Sequence, residues 1–410
     1  MQEVELASLA TPQMRHAGKD LLSLALIDAR NASLRWAAAF EDALGSAAPD
    51  AAALDDQPLP RWLLGRIGWF QEQWVGRNVQ RQRGEQADAT RPKLASILPG
   101  ADAWFEDAGA VRDASGEAAA MADWQTLRQY LVDSLETTLE LLAGADEDDT
   151  GLYVYRLALL HEDAAAERFA VLAQTLGIDA RLLPAPPTRA ARPSLLFSAT
   201  RWQLGSAPGG FVFDNEKWAH EVALAEFEID SQAVNWAQFG EFVEDGGYDD
   251  HRHWGAAGWA WVQAEGRRTP RHVDQMRHGV LQRRFGHLMR VPATQPALHV
   301  SWFEADAWCR WAGRRLPGEA EWEAAAVLGA TRGFRWGDVR EWMAGTLRPF
   351  PGTAGGSPGQ PPFPVSTPTV LRAQRGASFA TAGRLRHPKA RGGEAPGWDT
   401  GFCGFRSCAL

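Results

Sequence analysis

The feature that most constrains this chain is an abrupt change of composition near its middle, at Leu183–Pro193 (LPAPPTRAARP). Proline fixes φ and lacks a backbone N–H, so a segment this rich in proline interrupts regular structure and reads as a linker. Alanine and leucine dominate before it, whereas glycine, proline and tryptophan increase after it. A length of 410 residues suits two domains. We predict one domain over residues 1–182, a linker over 183–194 and a second domain over 195–410.

The N-terminal part shows helical periodicity, with apolar residues every three or four positions. The residues that carry this spacing are Leu21, Leu24, Ile27, Leu34 and Ala38 in one segment, and Leu127, Leu131, Leu135, Leu139 and Leu142 in another. Further helices are predicted over residues 62–77 and 152–176, the latter with Gly177 as its C-terminal cap. The four segments predict a helical bundle, and the long loop over residues 83–121 is either functional or a cap on the bundle.

The C-terminal part predicts an irregular α+β domain. Helical patterning is found mainly at Glu304–Ala312 and Glu319–Ala326, and short strands alternate with turns elsewhere. A parallel Rossmann-like sheet is not expected, because strands do not alternate with long helices. The loops of this part are candidates for the functional site.

Bulk composition excludes several classes of protein. A net charge of −9 argues against nucleic-acid binding. The N-terminus lacks a basic and apolar leader, and no run of 18 uncharged apolar residues occurs, which predicts a cytoplasmic protein without a membrane span. Three cysteines cannot build a disulfide framework, which agrees with a reducing compartment. The 19 tryptophans are mostly expected in the core, yet they also suit aromatic-walled pockets for cations.

Several separated motifs of the C-terminal part occur in a specific order. They are Phe211–Glu216 (FVFDNE), Phe227–Asp230 (FEID), Phe239–Tyr248 (FGEFVEDGGY), His299–Trp302 (HVSW), Ala305–Glu323 (ADAWCRWAGRRLPGEAEWE), Arg375–Phe379 (RGASF) and Gly404–Ser407 (GFRS). This series resembles the formylglycine-generating-enzyme-like domain over about 200 residues, which implies a C-type-lectin-like fold.

Two N-terminal segments, Pro60–Asn78 and Tyr153–Thr175, resemble the DinB-like four-helix bundle of the sulfoxide and selenoxide synthases. Details such as FDNEKW and the terminal GFRSCAL look closest to selenoneine synthase. That resemblance implies a bundle followed by the formylglycine-generating-enzyme-like domain. It also implies an iron(II) ion held by three histidines, and small-molecule substrates. These would be hercynine, the trimethylated betaine of histidine, and a selenosugar or thiol donor that O2 couples to it.

The chain departs from this family at the metal ligands. The family's Gly-His-x-x-Trp-Phe motif reads Gly65–Phe70 here, with Arg66 in place of histidine. In the His-x-x-x-His-x-Glu motif His161 remains, but Ala165 replaces the second histidine. Neither a guanidinium nor a methyl group binds a divalent ion. We therefore expect iron not to bind at the family position, where His161 is the sole surviving ligand.

Three other clusters remain open as metal sites. Asp163 and Glu167 form an i,i+4 carboxylate pair, which is more often solvated or salt-bridged. The loop residues Asp249, Asp250, His251 and His253 would suit a divalent ion, although such a cluster is more often surface. Cys403 and Cys408 resemble the copper-binding cysteines of formylglycine-generating enzymes, yet they flank the Gly-Phe-Arg motif instead of preceding it.

A segment that resembles a substrate loop of the family follows at Phe334–Trp342 (FRWGDVREW). By this match the predicted substrate-binding residues are Trp336, Asp338, Glu341 and Trp342. A scaffold role for the two tryptophans is the alternative. Arg340 replaces the family's usual tryptophan and disfavours a quaternary ammonium ion nearby. The catalytic residues stay unknown, since none of the four tyrosines can be assigned as a proton donor.

Two hypotheses result. The first is a selenoneine-synthase-like oxygenase that joins hercynine to a selenosugar or thiol donor. The alternative is a non-catalytic homologue that keeps the scaffold and has lost iron. In either case a buried carboxylate near the former site needs a counter-charge. We predict that Arg66 supplies it, pairing with Glu167 first and with Asp163 or Glu162 next.

Overall fold

The computed structural model describes residues 9–45, 49, 54, 57–88, 94–106, 121–351 and 370–410. Residues 89–93 and 107–120 of the predicted 83–121 loop lie outside them. The helices of the N-terminal part are α1 (Lys19–Leu44), α2 (Pro60–Gln71, extended by a π-helical turn at Glu72–Gly76), α3 (Ala101–Phe105), α4 (Trp124–Ala143) and α5 (Asp149–Leu176). The four long helices pack against one another. The four predicted helical segments are therefore present.

Helix α5 is the central helix of this part. It begins at the N-cap Asp148, whose side chain accepts a hydrogen bond from the Gly151 N–H. It ends at Gly177, which has φ 70° and is the predicted left-handed C-cap. Most side chains between these caps are buried, because the helix packs on α1 and α2 and also on the C-terminal part. Polar groups on α5 therefore need partners inside the protein.

The face of α1 differs from the sequence pattern. Leu21, Leu24 and Ile27 are exposed, whereas Leu22 and Leu26 are fully buried. The segment has apolar residues on both sides, so periodicity identifies a helix without deciding which face is inside. The buried face of α1 is the one that carries alanines and, nearer the C-terminal end of the helix, Trp36 and Phe40.

The C-terminal part mixes short helices with small sheets. The helices are α6 (Trp236–Glu244), α7 (Ala256–Glu265), α8 (Trp302–Trp311) and α9 (Glu319–Leu328). The strands are β1 (Leu195–Phe197), β2 (Thr200–Leu204), β3 (His220–Leu224), β4 (Phe227–Ile229), β5 (Val273–Gln275), β6 (Val280–Arg284), β7 (His287–Val291), β8 (Arg340–Thr346), β9 (Arg372–Gly376), β10 (Arg391–Glu394) and β11 (Cys403–Gly404).

Sheet topology agrees with the predicted mixture of helix and strand. A four-stranded sheet has the order β10-β9-β8-β11, and a three-stranded sheet has the order β5-β6-β7. The pairs β1-β4 and β2-β3 complete the described strands. All described strand pairs are antiparallel except β8 with β11, so no Rossmann-like sheet is found among the described residues.

One apolar core runs through both parts of the chain. It includes Leu131 and Leu159 from the helices together with Trp236 and Leu298 from the C-terminal part. The segment 183–194 contains no helix or strand, and it packs on the C-terminal part through a hydrogen bond from the Arg189 N–H to the Thr294 carbonyl. Among the described residues, no helix is long and apolar enough to cross a membrane.

Candidate functional site

Helix α5 presents three buried carboxylates within six residues, Glu162, Asp163 and Glu167. They belong to the His-x-x-x-His-x-Glu segment and face three different neighbours. Burial of a charged group costs several kcal/mol unless a partner compensates it. Each of the three has an arginine partner, and each arginine comes from a different element.

Glu167 is compensated from the C-terminal part of the chain. Arg340, the first residue of β8, donates from Nε to Oε1 at 3.0 Å and from Nη2 to Oε2. The hydroxyls of Ser378 and Thr381 donate to the same carboxylate at 2.6 and 2.8 Å. Burial alone would raise the pKa of Glu167, but Arg340 and the two hydroxyls hold it below its ordinary value. The carboxylate is therefore ionised and saturated with donors.

Asp163 is compensated by Arg384, which lies in the short turn Gly383–Leu385. The guanidinium donates to both Asp163 oxygens at 2.7 and 2.8 Å, and its Nη1 donates to Asp28 of α1 at 2.9 Å. Burial lowers the pKa of Arg384, but the two carboxylates outweigh burial and hold it above its ordinary value. One guanidinium therefore joins α1, α5 and the C-terminal part.

Glu162 is compensated from within the helical part. Arg30 of α1 donates to its two oxygens at 2.8 and 3.0 Å, and Arg30 also donates to Gln71 of α2. These contacts complete a set that we name the ion-pair junction. Its members are Arg30, Arg340, Arg384, Glu162, Asp163 and Glu167. Planar guanidinium forks match carboxylates in pairs of hydrogen bonds, which is the geometry seen at all three pairs.

The prediction that Arg66 pairs with a carboxylate of α5 is wrong. Its Nη1 donates to the backbone carbonyls of Phe105 and Glu106, and its guanidinium lies 4.4 Å from the ring centroid of Trp69. This position follows from the packing of α2, since residue 66 faces the end of α3 and not α5. The need for a counter-charge was predicted correctly, but other arginines meet it.

The residues at the family's metal position do not fit iron. His161 is buried with its ring stacked on Phe70, at 3.6 Å between centroids and an interplanar angle of 2°. Ala165 contributes a fully buried methyl group, and Arg66 points elsewhere. The neighbouring carboxylates are already bound by arginines, whose charge opposes a cation. One imidazole is not a ligand set for a divalent ion. Within the ranges that the structure describes, no three His, Cys, Asp or Glu side chains are grouped to hold a metal.

The other predicted metal clusters have protein partners. Asp249 lies 3.2 Å from Arg268, and the Asp250 carboxylate binds Arg252 and approaches His253 Nε2 at 3.6 Å. These are ion pairs of an exposed loop. His251 is also exposed there.

The two cysteines that flank the Gly-Phe-Arg motif are buried free thiols. The Cys403 thiol donates to the Val300 carbonyl at 3.2 Å. Cys408 forms antiparallel backbone bridges with Ile229 and Arg315. Burial raises the pKa of the Cys408 thiol to about 12, so it stays protonated at neutral pH.

The predicted substrate residues lie in the loop before β8 and at its start. Trp336 is half-buried and meets the edge of Trp322 at 5.6 Å between centroids. Asp338 accepts two hydrogen bonds, at 2.8 and 2.6 Å, from Arg189 of the predicted linker. This ion pair fixes the loop against the segment that connects the two parts.

Glu341 and Trp342 have partners within the fold. Glu341 forms a two-point pair with Arg406 and accepts from Trp322 Nε1 at 2.8 Å. Trp342 is fully buried and donates from Nε1 to the Val300 carbonyl at 2.7 Å. A role of these four residues in substrate binding stays a prediction.

The sequence did not predict which residues of the C-terminal part contact the carboxylates of α5. Arg340 was recognisable as a departure from the family's loop, and Ser378 lies inside the RGASF motif. Thr381 and Arg384 gave no signal, because an arginine or threonine in a loop is ordinary. Their role as partners of Glu167 and Asp163 becomes visible only because the segment that carries them packs against α5.

Comparison with known proteins finds similarity to one type of domain in the C-terminal part. The sulfatase-modifying factor enzyme 1-like domain matches residues 196–338. The formylglycine-generating enzyme of Streptomyces coelicolor is 34% identical over 179 residues, covering 38% of this chain and 54% of that protein. PvdO of Pseudomonas aeruginosa aligns with 53% of this chain and 94% of its own at 18% identity, with a TM-score of 0.34.

The family follows from relatives that span nearly the whole chain. The hercynine oxygenase of Mycolicibacterium smegmatis is 30% identical over 393 residues, covering 82% of this chain and 87% of that protein. The hercynine oxygenase of Mycolicibacterium thermoresistibile is 29% identical over 442 aligned positions, covering 94% of each. This chain belongs to the hercynine oxygenase family.

Proposed function

We propose that this chain is a non-catalytic homologue of the hercynine oxygenases, which keeps the scaffold and has replaced the charge of the metal with arginines. The observation that carries the proposal is the pair between Arg340 and Glu167. Both residues belong to motifs of the family resemblance, and Arg340 occupies the position of a family tryptophan. Its guanidinium now neutralises the glutamate of the degraded His-x-x-x-His-x-Glu motif. In this proposal the loss of two metal-binding histidines and the gain of Arg340 are linked, because the arginine supplies the positive charge that the metal would have supplied to Glu167.

The charge balance supports the proposal. A divalent ion brought close to the ion-pair junction would meet three guanidiniums that are each held by two hydrogen bonds to a buried carboxylate. Binding it would require the carboxylates to release their arginines, and Arg30 and Arg384 would then be buried without their two-point carboxylate partners. No step of an iron-dependent reaction is therefore assigned to these residues.

The test is the iron content of protein produced with iron present. We expect far less than one iron per chain in the wild type, and no consumption of O2 with hercynine and a thiol or selenosugar donor. About one tightly bound iron per chain that disappears in His161→Ala would overturn the proposal. The double variant Arg66→His, Ala165→His is the matched control. It restores the family's three histidines, but we expect it to bind iron weakly unless Arg340 is also returned to tryptophan.

The second candidate is a selenoneine-synthase-like oxygenase. It is favoured by the FDNEKW and GFRSCAL segments and by hercynine oxygenase relatives over nearly the full length. In that case hercynine and a selenosugar or thiol would be the substrates, with Trp336, Asp338, Glu341 and Trp342 lining the pocket. Turnover that depends on added iron(II) would select this candidate.

The finer architecture belongs to the same proposal. We assign residues 1–182 to a DinB-like four-helix bundle, 183–194 to a linker, and 195–410 to a formylglycine-generating-enzyme-like domain with a C-type-lectin-like fold. The order of helices and the motif series support this assignment. A cytoplasmic location is proposed on the composition alone.

A further inference from the structure

A second site lies on the C-terminal part, outside the ion-pair junction. It is a cavity of about 340 Å³ between α8, the turn that follows α8, and the adjoining edge of β8 and β9. Cavities of this size accommodate small organic ligands. None of its lining residues belongs to the ion-pair junction. Four of them are arginines, Arg310, Arg314, Arg315 and Arg372, and one is an acid, Asp306.

Arg372 is the arginine that distinguishes this cavity. Its guanidinium carbon lies 3.6 Å from the ring centroid of Trp302, and its Nη1 donates to the Ala344 carbonyl at 3.1 Å. Trp302 is itself fixed, because its Nε1 donates to the Met343 carbonyl at 2.9 Å. Stacking of this kind holds a guanidinium flat and leaves its edge available for in-plane hydrogen bonds.

Arg372 differs from its neighbours in its partners. Arg310 pairs with Asp306 at 2.8 Å, Arg314 with Asp230 at 3.1 Å, and Arg315 with Glu321 at 2.6 Å. Among the residues that the structure describes, Arg372 has no carboxylate at ion-pair distance, and its Nε and Nη2 have no acceptor. Burial lowers the pKa of Arg372, and Asp306 offsets this only in part. The cavity therefore holds a fixed cation whose Nε and Nη2 have no acceptor within the described part of the chain.

We propose that this cavity binds a small organic anion, through a carboxylate or phosphoryl group on the edge of Arg372. Two oxygens of such a group match the Nε and Nη2 donors of one guanidinium. The other three arginines are each matched by acids, Arg310 by Asp306, Arg314 by Asp230 and Glu228, and Arg315 by Glu321, so the positive charge of the cavity is centred on Arg372. A ligand in the cavity therefore places its anionic group on Arg372, the lining arginine that has no carboxylate at ion-pair distance among the described residues.

Isothermal titration calorimetry at constant ionic strength tests the proposal, with pyrophosphate and citrate as probes of phosphoryl and carboxylate groups. We expect saturable binding of at least one probe to the wild type. Arg372→Gln removes the charge and most of the donors, and should weaken binding about tenfold or more. Arg372→Lys keeps the positive charge but not the planar guanidinium, and its affinity for the probe should lie between those of the wild type and Arg372→Gln. Arg348→Gln is the matched control, since Arg348 is an exposed arginine of the same hairpin outside the cavity.

The calorimetry results distinguish a specific anion site from general attraction to positive charge. Binding of one probe alone identifies the anionic group, and binding of both supports the chemistry that they share. Absence of saturable binding to the folded wild type overturns the proposal. The proposal is also overturned if Arg372→Gln binds the probe as tightly as the wild type. It is overturned as well if Arg348→Gln weakens binding as much as Arg372→Gln does, because that result would indicate general attraction to positive charge. If circular dichroism shows Arg372→Gln unfolded, Arg310→Gln takes its place, with weaker binding expected and unchanged binding contradicting the site.

Discussion

Arg340 shows how an arginine from a distant part of the chain can neutralise a buried carboxylate. It lies at the start of β8, far along the chain from α5, and it reaches Glu167 with two hydrogen bonds. The same glutamate also accepts from Ser378 and Thr381, so its two oxygens are fully engaged. A buried carboxylate without such partners either protonates or destabilises the fold.

Arg340→Leu should therefore lower the free energy of unfolding by about 3–5 kcal/mol, because it leaves Glu167 buried without its counter-charge. The measurement is chemical denaturation followed by far-UV circular dichroism. Arg201→Leu is the control, since Arg201 and Glu221 form an exposed pair that should contribute less than about 1 kcal/mol. Equal losses for the two variants would show that the ion-pair junction contributes no more than a surface pair.

A second residue gives a prediction about pH. Glu304 is fully buried, and it accepts hydrogen bonds from Tyr248 and from Ser301. Burial raises the pKa of Glu304 to about 7, above the value of about 4.3 expected in the unfolded chain. The folded protein thus holds this proton more tightly. The contribution of Glu304 to stability is full below about pH 4 and is lost as the pH rises through about 7.

We therefore expect the difference in free energy of unfolding, wild type minus Glu304→Gln, to fall by up to about 3 kcal/mol between pH 4 and 7. Urea denaturation at a series of pH values measures it. The two proteins are compared because burial lowers the pKa of His387 to about 4, and this makes the stability of both proteins rise with pH over part of the same range. Taking the difference removes the contribution of His387. A flat difference would contradict the assignment.

At the scale of elements, α5 is defined by its ends as much as by its apolar residues. Asp148 caps the first turn and Gly177 ends the last, so both boundaries follow from local chemistry. Helix α1 is the opposite case. Its existence is local, but the choice of the Leu22 and Leu26 face over the Leu21 and Leu24 face depends on what packs against it.

Gly177→Ala should destabilise the protein by about 1–2 kcal/mol. A Cβ is strained at φ 70° and would lie 3.2 Å from the Cα of Gly286. The matched control is Gly240→Ala inside α6, where no atom lies within 4 Å of the added carbon. That change should be neutral or stabilising by up to about 1 kcal/mol. Thermal unfolding of both variants measures the effect, and a loss at Gly240 as large as at Gly177 would rule out the backbone explanation.

At the scale of the whole molecule, the helices and the C-terminal part are joined by buried charge as well as by apolar packing. Arg15 pairs with Glu216 across them, with both side chains buried, and Gln174 bonds to the backbone of Arg283 and Phe285. The continuous apolar core adds to these contacts. The two parts should therefore stabilise each other.

We predict that thermal unfolding is a single transition in the wild type. Far-UV circular dichroism, dominated by the helices, and near-UV dichroism, dominated by tryptophans of the C-terminal part, should coincide. Removing both crossing arginines of the ion-pair junction, in Arg340→Leu, Arg384→Leu, should separate the two signals. Separate transitions already present in the wild type would contradict the coupling.

The sequence by itself determined the local features. Periodicity and caps predicted four helices and the end of α5, and the motif order predicted the family that full-length relatives support. The inability of Arg66 and Ala165 to bind a metal was equally visible, because residue identity alone decides whether a side chain can be a ligand. The need for a counter-charge on α5 followed from the carboxylates themselves.

Only the tertiary structure decided which arginine meets that need. Arg340 and Arg384 are more than 170 and 220 positions away from Glu167 and Asp163, and nothing in a linear pattern reports such a contact. Arg66 was the nearer choice by motif, but the packing of α2 directs it to the end of α3. Local rules fix elements because their hydrogen bonds are local. Charge compensation in a core depends on which elements meet, and that is settled by the packing of the whole chain.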